Sequence, residues 1–335
     1  MIARRRFLSL IAAGSTAFLP LSRARAGQMP ESVVWRGAVL GAAASMTLVH
    51  PDRAYARSAI DDCIEEITRL EGIFSLYRVD SEISRLNTHG ELRAPAHELV
   101  ELLSFGLALS AQSNGAFDPT VQPLYRLYAD HFAAPHAATS GPLSEAIAQA
   151  MRLVDFTQVE LQSDRIRLRR PGMAITLNGL AQGYITDRVA DRLRAVGFED
   201  VLIDLGETRA LGRHADGSAW RAAVQDPRDP ARTLFELTLD SGGGTASALA
   251  TSAGQGTRFG SDPRNHHLLD PHTGRSANHY LSVSVVAGRA TVADGLSTAL
   301  SIVPPSAAEK LLAAYPSARA YLLTPEGDLQ TRAAA

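Results

Sequence analysis

The chain has 335 residues, of which 45% are hydrophobic and 20% are charged, as in a soluble globular protein with a sizeable core. The formal net charge of -2 leaves no excess of cations to neutralise a phosphate backbone, so we expect no nucleic-acid partner. Cys63 is the only cysteine, which excludes an intramolecular disulfide and any zinc or iron–sulfur site built on cysteines. It lies in a helical apolar stripe and is predicted to be a core residue.

Residues 1–26 predict an export signal of the twin-arginine type. Arginines at 4–6 precede an apolar run at 8–21, and Ala24-Arg25-Ala26 offers a cleavage site. The run is too short and too interrupted by Gly, Ser and Pro for a stable transmembrane span, although an uncleaved anchor is the alternative. We therefore expect a periplasmic protein with a single mature domain at 27–335.

Helical and strand patterns alternate irregularly along the mature chain. Helices are predicted at 57–74, in a short segment capped by Ser81, and at 97–113, 143–153, 291–302 and 307–314. Strands are predicted at 33–49, 154–162, 165–170, 201–205, 220–224, 234–239, 246–252, 266–269, 281–286 and 318–324. Two prolines predict a fixed loop or edge segment at 117–124, residues 131–141 an exposed loop, and the glycines at 242–244 a hairpin turn. The order favours an α+β fold over a doubly wound parallel sheet.

The stretch at 173–187 predicts a strand, a tight turn at Asn178-Gly179 and then a helix. Such a junction offers free backbone N–H groups to an anion, and Gly179 and Gly183 would let a ligand approach the backbone. The alternative is that these glycines serve only the geometry of the turn.

Several common catalytic motifs do not occur in the sequence. It contains no G-x-x-x-x-G-K-[ST], no G-x-G-x-x-G, no G-x-S-x-G and no H-E-x-x-H. His266 and His267 are adjacent, and neighbouring residues on a strand point to opposite faces, so one metal ion is not expected to take both.

What remains is a series of short polar motifs that core packing does not demand. They are Met46-Thr47, FSLYRVDSEISRLN (74–87), GAFDPTVQPL (115–124), LNGLAQGYITD (177–187), DLGE (204–207), ATSAG (250–254), HHLLDPHTG (266–274) and TVADGLSTAL (291–300). In this order they resemble the FAD:protein FMN transferase (ApbE-like) family. The signal and the LNGLAQGY and DLGETRALG variants look closest to the NosX-like subgroup, which is accessory to nitrous oxide reductase.

The resemblance implies a duplicated, T-fold-like α+β architecture with mixed or antiparallel sheets and a flavin cleft. It also implies Mg²⁺-dependent cleavage of FAD, transfer of FMN to a Ser or Thr hydroxyl of a target protein through a phosphoester, and release of AMP. The expected target is the periplasm-facing domain of a membrane flavoprotein, NosR-like, in the electron-donor system of nitrous oxide reductase.

The family's functional positions can be carried over residue by residue. Its metal ligands fall on the carbonyl of Ala181 and on Asp294 and Thr298, and its HxxD residues, implicated in catalysis, fall on His267 and Asp270. Oxygen ligands of this kind suit Mg²⁺. The flavin-binding positions fall on Met46, Tyr77, Ala116, Phe117, Asp118, Gln182 and Glu207.

The sequence departs from the family pattern mainly at the 176–182 stretch. Thr176 replaces an acid, Asn178 a glycine and Gln182 a lysine. The turn at Gly206-Glu207 is one residue shorter than in the family pattern. Two alternatives to transfer stay open; Gln182, which supplies no charge, favours the first, and the intact Asp294 and Thr298 argue against it. One is an FAD carrier or chaperone without turnover, and the other is a Mg²⁺-dependent FAD pyrophosphatase in which water replaces the protein hydroxyl.

Overall fold

The computed structural model describes residues 31–39, 41–239 and 247–334. The predicted export signal at 1–26 and the predicted turn at 242–244 lie outside the described residues. The α-helices of the described ranges are α1 (Arg53–Phe74), α2 (Glu82–His89), α3 (His97–Gln112), α4 (Gln122–Ala133), α5 (Ser144–Met151), α6 (Ala181–Ala195), α7 (Ala290–Ile302) and α8 (Ala308–Leu312). No helix in these ranges is long and apolar enough to cross a bilayer.

The strands of the described ranges form one large sheet and three small ones. They are β1 (Glu31–Val39), β2 (Ala42–His50), β3 (Glu91–Arg93), β4 (Val159–Leu161), β5 (Arg165–Leu168), β6 (Val201–Asp204), β7 (Thr208–Leu211), β8 (Trp220–Asp226), β9 (Asp229–Leu239), β10 (Ala248–Ala253), β11 (Leu269–Asp270), β12 (Arg275–Ser276), β13 (Ser282–Ala287), β14 (Arg319–Leu323) and β15 (Leu329–Ala333). The large sheet has the order β1-β2-β6-β7-β10-β13-β14-β15, and the small sheets are β3-β5-β4, β8-β9 and β11-β12. Neighbouring strands pair antiparallel throughout, which confirms the α+β prediction with antiparallel sheets.

The large sheet carries apolar side chains on both faces. Met46 and Leu48 of β2 belong to the main core with α1, α6 and α7, whereas Val49 belongs to a second cluster with Trp220 and Leu239 of the β8–β9 hairpin. Side chains of a strand alternate between faces, so a largely apolar β2 can contact the helices on one face and the hairpin on the other. Cys63 is buried in the main core as predicted, and burial raises the pKa of its thiol to about 12.

Side-chain caps fix the first two helices. The Asp52 carboxylate accepts hydrogen bonds from the N–H groups of Ala54 and Tyr55, and α1 consequently begins four residues before the predicted start. The Ser81 hydroxyl accepts from Ser84 N at 3.1 Å and caps α2, as predicted.

The predicted strand at 173–177 is wrong. This buried, apolar segment pairs with no neighbouring strand. The Asn87 side chain instead satisfies both backbone groups of Ile175, at 2.6 and 2.8 Å, and Thr176 N donates to the Pro119 carbonyl at 2.8 Å. One amide side chain thus replaces a strand partner.

The loop prediction at 117–124 is wrong in its last three residues. Pro119–Val121 forms a 3-10 turn, and α4 begins at Gln122. Pro123 fits there because the first turn of a helix needs no N–H from it. Since α4 continues to Ala133, the exposed loop predicted at 131–141 starts later than expected.

Of the strand predicted at 266–269, only Leu269 lies in a strand, the short strand Leu269–Asp270. The strands β3, β7, β12 and β15, none longer than five residues, were not predicted.

Candidate active site

A cavity of about 750 Å³ lies where segments far apart in the sequence meet. Its walls come from β2, the 116–125 segment, the 176–182 turn, the β6–β7 turn, the β8–β9 hairpin, β10, the 267–271 loop and α7. Its size is that of a typical small-molecule site. The predicted site residues that line it are Ala116, Phe117, Asp118, Gln182, Glu207, His267, Asp294 and Thr298.

Close packing of α6 against α7 forms one end of this site. A Cβ added to Gly183 would lie 2.4 Å from the Ala290 carbonyl oxygen, and one added to Gly179 would lie 2.8 Å from the Thr298 hydroxyl. The N–H of Gly183 donates to the Asp294 carboxylate at 3.0 Å. The space beside both glycines is therefore filled by α7, and a first-turn N–H of α6 already binds a carboxylate of the protein.

Asp294 and Glu207 bring two buried carboxyl groups to the cavity. Burial raises the pKa of Asp294 to about 7, against the effect of the Gly183 hydrogen bond. Burial, followed by the charges of Asp294 and Asp204, raises the pKa of Glu207 well above its ordinary value. Carboxyl groups in such an environment gain strongly from a bound cation.

The donors around Asp294 suit a hard cation. Thr298 follows one helical turn later on α7, and its hydroxyl lies 3.4 Å from that of Ser252, which in turn lies 2.7 Å from the Ser297 hydroxyl. No group of three or more His, Cys, Asp or Glu side chains with metal-binding geometry occurs in the described ranges. One carboxylate with hydroxyl oxygens suits Mg²⁺, which keeps several ligands from water or substrate phosphates.

His267 lines the cavity in a neutral, proton-accepting form. Burial, helped by the neighbouring His266, lowers the pKa of its imidazole to about 4. Its Nδ1 lies 3.2 Å from the carbonyl oxygen of Thr257. Because a carbonyl can only accept, Nδ1 carries the proton and the lone pair of Nε2 is free to accept one.

Asp270, in contrast to His267, does not line the cavity. Its Oδ1 lies 2.9 Å from the N–H of His272 and 3.1 Å from Nδ1 of the same residue, and its Oδ2 accepts from the Thr273 hydroxyl at 3.0 Å. Asp270 therefore organises the turn of the loop that carries His267.

Asp118 forms part of another wall of the cavity. Its carboxylate accepts from the N–H and hydroxyl of Thr120, at 2.7 and 2.6 Å, and from Phe156 N at 3.1 Å. Burial outweighs these hydrogen bonds and raises its pKa to about 6. The same carboxylate caps the 3-10 turn that follows it, so the wall segment is firmly held.

Besides Asp270, three predicted site residues lie outside the cavity lining. Met46 is fully buried in the core, Tyr77 is 78% exposed, and Ala181 is buried at the start of α6. Gln182 does line the cavity, and its amide packs on Gly206, where an added Cβ would lie 2.4 Å from Nε2. The φ of +101° at Gly206 favours glycine there.

Sequence reasoning missed two parts of the lining. Ser45 lines the cavity next to Met46, and the alternation along β2 could have indicated it, because neighbouring strand residues face opposite sides. The β8–β9 hairpin contributes a whole wall, including Arg221 and Asp226. No motif marks that hairpin, since its contribution depends on how it folds over the sheet.

Fold and site together define a mixed α+β protein with a deep cleft whose lining includes several carboxyl groups. The model of the ApbE family matches residues 40–322, and the chain belongs to that family.

Named relatives agree with this assignment. The FAD:protein FMN transferase of Vibrio cholerae is 30% identical over 257 residues, which is 75% of this chain and 74% of the relative. That of Escherichia coli K12 is 27% identical over 303 residues, covering 88% of this chain and 82% of the relative. Among solved structures, the ApbE protein of Thermotoga maritima superposes with a TM-score of 0.76 at 27% identity, over 90% of this chain and 97% of that one. The flavin transferase ApbE of Vibrio cholerae gives 0.74 at 26% identity, over 91% and 98%.

Proposed function

We propose that this protein is a Mg²⁺-dependent FAD:protein FMN transferase. It takes FAD as substrate, transfers FMN to a Ser or Thr hydroxyl of a target flavoprotein, and releases AMP. The family membership and the activity named for the relatives support this reaction. The observation that carries the metal dependence is the buried Asp294 beside Thr298 and Glu207 at the cavity.

The charge of the cavity argues for a cation during catalysis. Its described lining carries the carboxyl groups of Asp118, Asp204, Glu207 and Asp294, and also that of Asp226, which pairs with Arg228 at 2.9 Å, against the guanidinium of Arg221. Arg221 already pairs with Glu236 at 2.7 Å. A pyrophosphate would be repelled by such a lining unless a cation lay between them.

Asp294 and Thr298 would hold Mg²⁺, with Ala181 as the carbonyl ligand expected from the family resemblance. A Mg²⁺ ion held by these residues would supply positive charge to offset that of the pyrophosphate group of FAD. Asp294 would supply most of the electrostatic attraction, because the Thr298 hydroxyl and the Ala181 carbonyl carry no net charge.

His267 is the general base that this geometry favours. A hydroxyl is a weak nucleophile, and the free lone pair of His267 Nε2 can take its proton. The acceptor oxygen forms a bond to the FMN-side phosphorus, and the bond from that phosphorus to the bridging oxygen breaks as AMP leaves. Asp270 is the second candidate for the base, and in this structure it orders the His267 loop.

The setting proposed for the reaction is the periplasm, reached by the twin-arginine route with cleavage after Ala26. The acceptor would be the periplasm-facing domain of a membrane flavoprotein of the NosR type, in the electron-donor system of nitrous oxide reductase. The export signal and the LNGLAQGY and DLGETRALG variants support this NosX-like role.

The mature chain from Gly27, incubated with FAD, Mg²⁺ and a candidate acceptor domain, tests the proposal. We expect a fluorescent acceptor band on a denaturing gel, which disappears with EDTA or when the target hydroxyl is removed from the acceptor. Free FMN and AMP without a labelled acceptor would instead identify a pyrophosphatase. Unchanged FAD would identify a carrier.

A further inference from the structure

The His272 ring bridges two cavity-lining loops. Its Nδ1 lies 3.1 Å from Asp270 Oδ1 in its own loop, and its Nε2 lies 3.0 Å from the carbonyl oxygen of Asn114 at the end of α3. The ring also lies over Gly115, where an added Cβ would be 3.6 Å from Nε2. His272 is not among the residues that line the cavity.

Both partners of the ring are acceptors. A backbone carbonyl and a carboxylate oxygen accept hydrogen bonds, whereas a neutral imidazole carries only one N–H. The contact with Asn114 therefore needs a proton on Nε2, and the contact with Asp270 needs a second proton between Nδ1 and the carboxyl group. Each ring nitrogen thus ties His272 to a different loop.

The two bridged loops hold different parts of the site. Asn114 immediately precedes the segment of Ala116, Phe117 and Asp118 on one wall, and the loop of Asp270 carries His267 on another wall. Asn114 and Gly115 have φ values of 53° and 80°, so the turn that presents the Asn114 carbonyl occupies a narrow region of backbone space. His272 thus joins the proposed flavin wall to the proposed base.

We propose that His272 is a positioning residue, a clamp whose ring contacts both loops and holds the His267 loop at a fixed distance from the 114–118 wall. The inference deepens the proposed FMN transfer and rests on it. The clamp acts on the chemical step, because the base belongs to one loop and the flavin wall to the other. It contributes little to FAD affinity, since the ring itself does not line the cavity.

Two substitutions of this half-exposed side chain test the clamp. His272→Leu removes both ring nitrogens, whereas His272→Arg supplies N–H groups that can reach both acceptors. We expect H272L to lower kcat about 10-fold or more, with KM for FAD changed less than about 3-fold, since small displacements of reacting groups cost large factors in rate. H272R should recover most of kcat. The exposed His279→Leu is the matched control and should behave like the wild type.

Hydrogen exchange at the backbone amides of 114–118 and 266–276 gives a readout that does not depend on transfer activity. H272L should exchange faster in both segments, and H272R should match the wild type. Unchanged exchange in H272L, or equal loss of kcat in H272L and H272R, would overturn the clamp while wild-type transfer still stood. An inactive wild type with the expected exchange pattern would overturn the proposed function and leave the clamp as a structural contact.

Discussion

Asp187 on α6 and Asp294 on α7 are buried carboxylates at the contact between the two helices, and they differ in what neutralises their charge. Asp187 is fully buried, and its oxygens accept from the N–H groups of Ala290 and Thr291, each at 2.9 Å. It also pairs with the guanidinium groups of Arg209 and Arg289. Its charge is matched within the protein, and it joins the start of α7 to α6.

Asp294, one turn further along α7, is almost as deeply buried but has no such partner. It accepts from Gly183 N, and no arginine or lysine of the described ranges forms an ion pair with it or with Glu207. Burial raises the pKa of both carboxyl groups. The comparison separates a carboxylate that stabilises the fold from carboxylates whose counter-ion must come from a ligand.

Removing the charge of Asp294 should have the largest effect. Asp294→Asn keeps the shape of the side chain, and we expect FMN transfer to fall about a thousandfold because a charged ligand of the metal contributes several kcal/mol to the transition state. The assay is the rate of acceptor labelling at saturating FAD. Asp62→Asn, an exposed position on α1, is the control and should keep full activity. A D294N rate within a factor of three of the wild-type rate would contradict the distinction drawn between Asp294 and Asp187.

Removing the charge of Asp187 should lower the stability of the fold and not affect metal binding. Asp187→Asn leaves Arg209 and Arg289 without their buried counter-charge, and breaking a buried pair in this way costs about 3–5 kcal/mol in the free energy of unfolding. Urea unfolding followed by circular dichroism measures the change. A loss below about 1 kcal/mol, as for a surface pair, would show that Asp187 does not hold the two helices together.

Substituting Gly183 tests how close α6 and α7 must lie to each other. Gly183→Ala places a Cβ 2.4 Å from the Ala290 carbonyl oxygen and 2.8 Å from Asp294 Cβ, and such overpacking costs about 1–3 kcal/mol. Gly72→Ala in α1 is the matched control, because a Cβ there meets nothing within 4 Å. The control should raise stability by about 1 kcal/mol, since alanine is the better helix former. If both variants shift the melting temperature the same way, the close packing at Gly183 is not required.

The pH dependence of Mg²⁺ binding should be the smallest effect. The pKa of Asp294 is raised to about 7, so below that pH a proton must leave before the metal binds. Affinity should therefore fall by up to about tenfold, or 1.4 kcal/mol, for each pH unit below 7.

The stability of the metal-free protein should depend on pH in the opposite direction to Mg²⁺ affinity. A carboxyl group with a raised pKa favours folding at low pH, and this contribution is lost as pH rises through about 7. Added Mg²⁺ should consequently raise the melting temperature more at pH 8 than at pH 6, and D294N should lose this difference. An equal Mg²⁺ shift at both pH values in the wild type would argue against Asp294 as the ligand.

The sequence predicted the elements that depend on local pattern. The helix that carries Asp294 and Thr298 could be read from its apolar spacing, and so could the α+β class from the order of elements. Long-range polar contacts could not be read in this way. The Asp187–Arg209 pair spans 22 residues and the His272–Asn114 hydrogen bond spans 158, with no local signal for either. The strand expected at 173–177 failed for the same reason, since Asn87 lies 88 residues from Ile175.

Calorimetric titration of Mg²⁺ into the mature wild-type chain, D294N and D187N, each saturated with FAD, measures the difference between the two carboxylates directly. We expect Mg²⁺ binding by the wild type and by whatever fraction of D187N remains folded, and none by D294N. Mg²⁺ binding by D294N with the affinity of the wild type would contradict the assignment of Asp294 as the charged ligand at this site.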